Sequence, residues 1–116
     1  MCGTLKYSVL RYSPSPISGE QINLGILICD ESTDYREFYS TERYSRLIAF
    51  DDELDIDLIH MLLCGIREVV TDMAKKFDME EFIRFYINAF HFDDIKSITY
   101  DEMDKTLEYL RITYLH

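Results

Sequence analysis

The chain has no tryptophan, and in 116 residues it has four glycines, two prolines and three cysteines. Cys2, Cys29 and Cys64 are odd in number and contain no Cys-x-x-Cys pair, which argues against a disulfide framework or a thiolate metal finger. Cys29 and Cys64 lie in apolar runs and are expected as buried small hydrophobes, which favours a reducing, cytoplasmic setting. No apolar run approaches the ~18 residues of a membrane-spanning helix, and no basic-then-apolar leader opens the chain. His60, His91 and His116 share no ligand spacing, so no zinc site is expected. Walker, Gly-x-Ser-x-Gly and Gly-x-Gly-x-x-Gly patterns are missing too, and with them the signals of phosphate cradles, serine hydrolases and dinucleotide cofactors. Positive charge is also scarce. Twelve Lys and Arg stand against 22 Asp and Glu, a formal net charge of −10, which argues against direct binding to nucleic acid or to an anionic membrane.

What is present fits one α+β domain spanning residues 1–116. Hydrophobic residues make up 47% of the chain, enough for a core at this length without a metal or cross-link. Nine tyrosines and seven phenylalanines supply much of it, and tyrosine is equally suited to a surface that meets a partner. The acids are unevenly placed. Residues 1–29 hold only Glu20, whereas residues 30–57 hold ten acids against Arg36, Arg43 and Arg46. Within that middle third, Asp30, Glu31, Asp34, Asp51, Asp52, Glu53, Asp55 and Asp57 form the candidate partner-binding surface. The alternative is a set of solvated loops and helix starts. The run from Asp51 to Asp57 has neither the glycine nor the spacing of a calcium loop, so no metal is assigned to it.

Taken in order, residues 4–12 alternate as a strand, with Leu5, Tyr7, Val9 and Arg11 on one face. Pro14 and Pro16 enforce a loop, and residues 22–29 read as a strand covered on both faces. Gly25 inside it predicts a bulge or a close backbone approach. A turn at Asp30–Asp34 leads to a third strand at Tyr35–Tyr39, completing a three-strand antiparallel meander. Ser40 or Thr41 is expected to cap a short helix through Phe50, with Glu42 favouring its dipole. A long amphipathic helix is expected over residues 54–76, carried by Ile59, Leu62, Leu63, Ile66, Val69, Val70, Met73 and Phe77. Asp78 with Glu81 reads as a capping box for a third, aromatic helix to about Phe90, and Ile95–Ile98 as a further strand. Thr99 with Glu102 reads as the box opening a final helix. Three to four helices would therefore cover a small, mostly antiparallel sheet.

Two patterns could carry chemistry. Arg11, Glu20 and Asn23 come from a strand end, a loop and a strand start, and could converge as a polar site. The structural alternative pairs Glu20 with Arg11, uses Gly19 for a turn and Asn23 to tie the loop. The opening Met1-Cys2-Gly3 is similar to that of amidotransferases with an N-terminal cysteine nucleophile, but nothing after Gly3 follows that pattern.

The stretch RYSPSPISGEQINLGILICD resembles the opening of an uncharacterised bacterial family, domain of unknown function DUF3037. The matching residues are Arg11, Tyr12, Pro16, Gly19, Glu20, Asn23 and Gly25. The resemblance is good over the first 30 residues and weaker through Arg46-Leu47 to the closing helix. It implies a shared fold and no mechanism. Members are often encoded beside kinases similar to the HipA type, which implies a regulatory or toxin-related association.

The function expected from these features is a small acidic, non-enzymatic regulator or inhibitor without a cofactor. Its partner would be a basic or nucleic-acid-binding protein, whose groove the carboxylates would block as a phage anti-CRISPR protein or an antitoxin does. The alternatives are a small-ligand-binding or enzymatic domain using Arg11, Glu20 and Asn23, and a subunit of a larger complex. In the last form, a homodimer would pair through the aromatic third helix.

Overall fold

The computed structural model describes residues 3–14, 19–30, 32–42, 44–51, 53–72, 76–86 and 89–115. The chain runs β1 (Gly3–Tyr12), β2 (Ile22–Asp30), β3 (Tyr35–Ser40), α1 (Tyr44–Phe50), α2 (Ile56–Thr71), α3 (Met79–Ile83), β4 (Phe90–Phe92), β5 (Lys96–Tyr100) and α4 (Met103–Leu115). All strand pairings are antiparallel. The first three strands form the expected meander, and β4 and β5 both pair with the other side of β1. The fold is α+β.

Side-chain alternation along β1 divides the core into two layers. Leu5, Tyr7 and Val9 join Ile26, Ile28, Leu107 and Leu110 beneath α4. Leu10 and Tyr12 join Leu24, Leu27, Cys29 and Phe38 against Ile59, Leu63, Ile66 and Val70 of α2. Strand β2 lies between these layers, which is why its sequence is continuously apolar.

A bulge in β2 sets which way its first residues point. Leu10 pairs with Gly25 but Arg11 pairs with Asn23, so Leu24 is an extra residue. Leu24 and Leu27 therefore face the same layer, and Asn23 turns to the α4 side with Arg11. Gly25 answers the close-approach expectation as well. A Cβ there would stand 2.8 Å from Phe38 Cε1 and 2.9 Å from the Tyr39 carbonyl oxygen.

The outer edge of β3 is occupied by its own protein. The Phe38 N–H donates to Glu37 Oε1 at 3.1 Å, and its carbonyl accepts Arg67 Nε at 3.3 Å. Arg36 reaches α2 and donates from Nε to the Val70 carbonyl and from Nη2 to that of Asp72, both at 2.6 Å. A guanidinium on the last carbonyls of a helix opposes its dipole and fixes its end.

Several boundaries differ from those read in the sequence. Thr41 is buried, and its N–H donates to the Leu24 carbonyl at 2.8 Å, continuing the sheet, while α1 opens at Tyr44. Helix α2 starts at Ile56, capped by Asp55, and stops at Thr71, five residues short of the expected end. Phe77 lies beyond it, and Met73 lies outside the described residues. The capping role of Asp78 is present, but α3 is a single turn. Phe90, read as helical, opens β4, because Leu10–Tyr12 of β1 offer backbone partners to Phe90–Phe92. Thr99 sits within β5, so it opens no helix. Cys29 is buried as expected, whereas Cys64 is partly exposed. Cys2 lies outside the described residues.

Candidate functional site

The acidic residues do not form one surface. Asp30 is buried, and its carboxylate accepts Tyr100 Oη at 2.6 Å, Ser32 Oγ at 2.7 Å and Ser32 N at 3.0 Å. It closes the β2–β3 turn, in which Asp34 takes a left-handed conformation, φ 56°. Asp51 accepts Tyr12 Oη at 2.8 Å, and Asp55 caps α2 through the Asp57 and Leu58 N–H groups. Tyr12 pairs with Ile22, the first residue of β2, while Asp30 is its last. A strand of that length separates the two groups by roughly 25 Å. The six described residues of the expected patch thus fall into two clusters at opposite ends of the sheet. Glu31 and Asp52 lie outside the described residues. At the α2 end, Glu53, Asp55 and Asp57 are exposed.

Asp30 links stability to pH. Its carboxyl is held below its ordinary value of 3.8, first by the Tyr100 hydroxyl and then by Ser32. This stabilisation is present above the unfolded-state value and is lost as pH falls through the lower folded value. Tyr100→Phe removes the largest cause. The difference in urea midpoint between wild type and Tyr100→Phe should be constant at neutral pH and shrink below about pH 4. A difference unchanged down to about pH 2 would show that Asp30 does not carry the charge.

Of the polar trio, the structure brings two members together. Arg11 and Asn23 are cross-strand neighbours, and Asn23 Nδ2 donates to the Tyr114 carbonyl at 3.0 Å. Glu20 is exposed in the preceding loop, where its carbonyl accepts Ser13 Oγ at 3.2 Å. Arg11 is bound by Asp93 instead: Nη2 donates to Oδ2 at 3.0 Å, while Nε is buried without an acceptor. Asp93 stands where β4 gives way to β5. Its Oδ1 accepts the Val9 N–H at 2.8 Å, its N–H donates to the Val9 carbonyl at 3.0 Å, and Lys96 Nζ lies 3.4 Å from Oδ2.

Arg11 and Asn23 line a cavity of about 240 Å³ with Gln21, Thr41, Arg46 and Tyr114, floored by Ile22, Leu47 and Leu115. Arg46 and Thr41 went unrecognised in the sequence, because they reach this point from α1 and from the loop after β3. A larger cleft of about 700 Å³ runs beside β3 between Arg67 and the Asp104, Glu108 and Arg111 side of α4. A third, of about 360 Å³, lies at the opposite end near Asp30, Arg36, Lys76 and Phe77.

Two other features were missed. His60 and Cys64 are one helical turn apart on α2, with Nε2 3.5 Å from Sγ and Tyr44 Oη 3.1 Å from Nδ1. None of the three lines any of these cavities. Also on α2, Leu58, Met61 and Val69 are 61%, 68% and 53% exposed. At about 100° per residue they fall on one stripe beside the half-exposed Leu62, and Asp57 and Glu68 flank it. The signal was the breadth of the apolar face, wider than one sheet can cover. By contrast, the aromatics assigned to a dimerising third helix are turned inward: Phe82 and Tyr86 pack on Phe92 at 6.1 and 5.3 Å between ring centroids. Phe85 alone of that group is largely exposed.

Among the described residues, no three His, Cys, Asp or Glu side chains gather as a metal site, and no helix is long and apolar enough to cross a membrane. Fold and site together define a small α+β scaffold with helices on both faces of an antiparallel sheet and polar clefts at its ends. The family model for the protein of unknown function DUF3037 matches residues 7–110, and the chain belongs to that family. No curated protein and no solved structure matches it.

Proposed function

We propose that the protein is a non-enzymatic binding module that regulates or inhibits another protein by docking through the outer face of α2. The observation that carries this reading is the apolar stripe of Leu58, Met61 and Val69 bordered by Asp57 and Glu68. Three large apolar side chains held in water on one rigid helix form a surface suited to cover by a partner. The bordering carboxylates, with Glu53 at the helix start, select a partner whose apolar residues are ringed by Lys and Arg. The basic groove of a nucleic-acid enzyme has that character. Asp30 and Asp34 take no part, since they lie at the far end of the sheet.

The test is affinity capture from the source cell with wild-type, Met61→Glu and Asp57→Lys baits, at low and high salt. One protein should be retained by wild type, lost with Met61→Glu, and weakened by high salt or by Asp57→Lys. Both substitutions are at solvent-exposed positions, so the circular dichroism of the baits should be unchanged. Identical captured sets for wild type and Met61→Glu would overturn the reading.

A further inference from the structure

We infer that Cys64, with His60 and Tyr44, forms a reactive-thiol site on the outside of α2, where small disulfides are attacked and held as mixed disulfides.

Helical spacing and one contact from α1 place the three side chains. Residues four apart on a helix stand one above the other, and their side chains lean toward the N-terminus, so the Cys64 thiol is directed at the ring of His60. Sγ lies 3.5 Å from Nε2, within reach of an S–H donor. Tyr44, the first residue of α1, holds the other side of the ring. Its Oη is 3.1 Å from Nδ1, and the two rings meet edge-on with centroids 6.2 Å apart. A nucleophile, a base and a group that orients the base thus stand in series. With its proton on Nδ1, the imidazole donates to Tyr44 Oη and leaves Nε2 to accept from the thiol. His60 is exposed and Cys64 half-buried, so a small reagent has access to both.

The surroundings select the reaction. His60, Cys64 and Tyr44 line none of the three cavities, and acyl transfer needs an enclosed set of donors for its oxyanion. Thiol–disulfide exchange develops no oxyanion and needs only access and a proton acceptor. Cys64 gives its proton to His60 Nε2 as its sulfur attacks one sulfur of the disulfide. The old S–S bond breaks as the new one forms, and the leaving thiolate takes the proton from the imidazolium. Cys64 is oxidised to a mixed disulfide, and the departing half of the reagent is reduced to a thiol.

On the helix surface Cys64 neighbours Met61 and Glu68, so an adduct there would border the apolar stripe. Exchange would then couple docking to the supply of disulfide. That consequence rests on the docking reading, whereas the chemistry itself does not. The charged groups around the dyad are Glu42 and Arg67, which both act on Tyr44, and Asp57 and Glu68, one helical turn from His60 and from Cys64. Carboxylates and guanidinium groups do not titrate between neutral and mildly alkaline pH, so a rate change there reports the dyad. Burial first, and then the nearby Cys64, hold the Tyr44 hydroxyl above its ordinary value of 10.0, so it stays protonated.

The test treats the purified full chain with glutathione disulfide and follows each cysteine by peptide mass mapping. At about pH 7 an ordinary thiol is only ~3% thiolate, so a base can raise the rate by at most about thirtyfold. His60→Ala should slow modification of Cys64 about tenfold, and Tyr44→Phe, which keeps the ring, about threefold. His60 is exposed, so circular dichroism of the variant should match that of the wild type. The wild-type and His60→Ala rates should converge at about pH 10, where hydroxide removes the thiol proton without help. Equal rates at about pH 7, a deficit that persists to about pH 10, or modification confined to the other cysteines would each overturn the site. Partner capture by the glutathione-modified bait that equals capture by the unmodified chain would overturn only the coupling to docking.

Discussion

Asp93→Ala should lower the free energy of unfolding by about 2–4 kcal/mol, a large share of the ~5–15 kcal/mol typical of a domain. Three consequences of the substitution add together. The N–H of Val9, a wholly buried residue, loses the Oδ1 acceptor at 2.8 Å that stands in for a ladder partner. The Arg11 guanidinium, already lacking an acceptor at Nε, loses its counter-ion at 3.0 Å. Lys96 loses the weaker, more exposed contact, which contributes little. Asp93→Asn separates these effects, since an amide oxygen can still accept from Val9 while the charge is gone. Its cost should be about half as large. Urea unfolding followed by circular dichroism measures both, and a loss below about 0.5 kcal/mol for Asp93→Ala would show that the β4–β5 junction is held by other groups.

Phe38→Ala should cost about 3–5 kcal/mol. The ring is fully buried, makes an edge-to-face contact with Phe92 at 6.4 Å, and fills the space that Gly25 leaves open. Truncation opens a cavity under an edge strand, and Gly25 cannot fill it. That pairing also predicts non-additivity. Gly25→Ala alone should destabilise, because its Cβ would press on the Phe38 ring and the Tyr39 carbonyl. In the Phe38→Ala background the ring is absent, so the added methyl should cost markedly less. Strictly additive unfolding energies would mean that the glycine answers to the Tyr39 backbone alone.

The parts of this fold that could be read from the sequence are those set by local periodicity. Alternation from Leu5 to Arg11, the apolar run Ile22–Cys29 and the buried stripe of α2 each repeat often enough to identify the element and its covered face. The β4 strand could not be read in this way. Phe85, Tyr86, Ala89 and Phe90 are spaced as a helix face, and a strand of three residues is too short to show a competing period. Its existence depends on β1, about 80 residues earlier, offering free backbone groups. The candidate site divides along the same line. Arg11 and Asn23 could be paired from the sequence because both belong to adjacent strands. Glu20 looked like the partner of Arg11 because it is close in the chain, but Asp93, 82 residues away, is placed by the sheet and holds it. Arg46 and Thr41 complete the cavity from elements whose packing no local pattern records.

The treatment of the two sheet margins also bears on how the protein behaves when crowded. On one margin Glu37 and Arg67 occupy the outward N–H and C=O of Phe38; on the other, the irregularity at Asp93 divides the border into pieces of three and five residues. Neither offers a long row of open backbone groups on which a further strand could template. Growth of the sheet into fibrils or swapped ribbons is thereby disfavoured, despite a core strand, INLGILIC, that would be aggregation-prone if unfolded. Association of the native molecule is left to its helices.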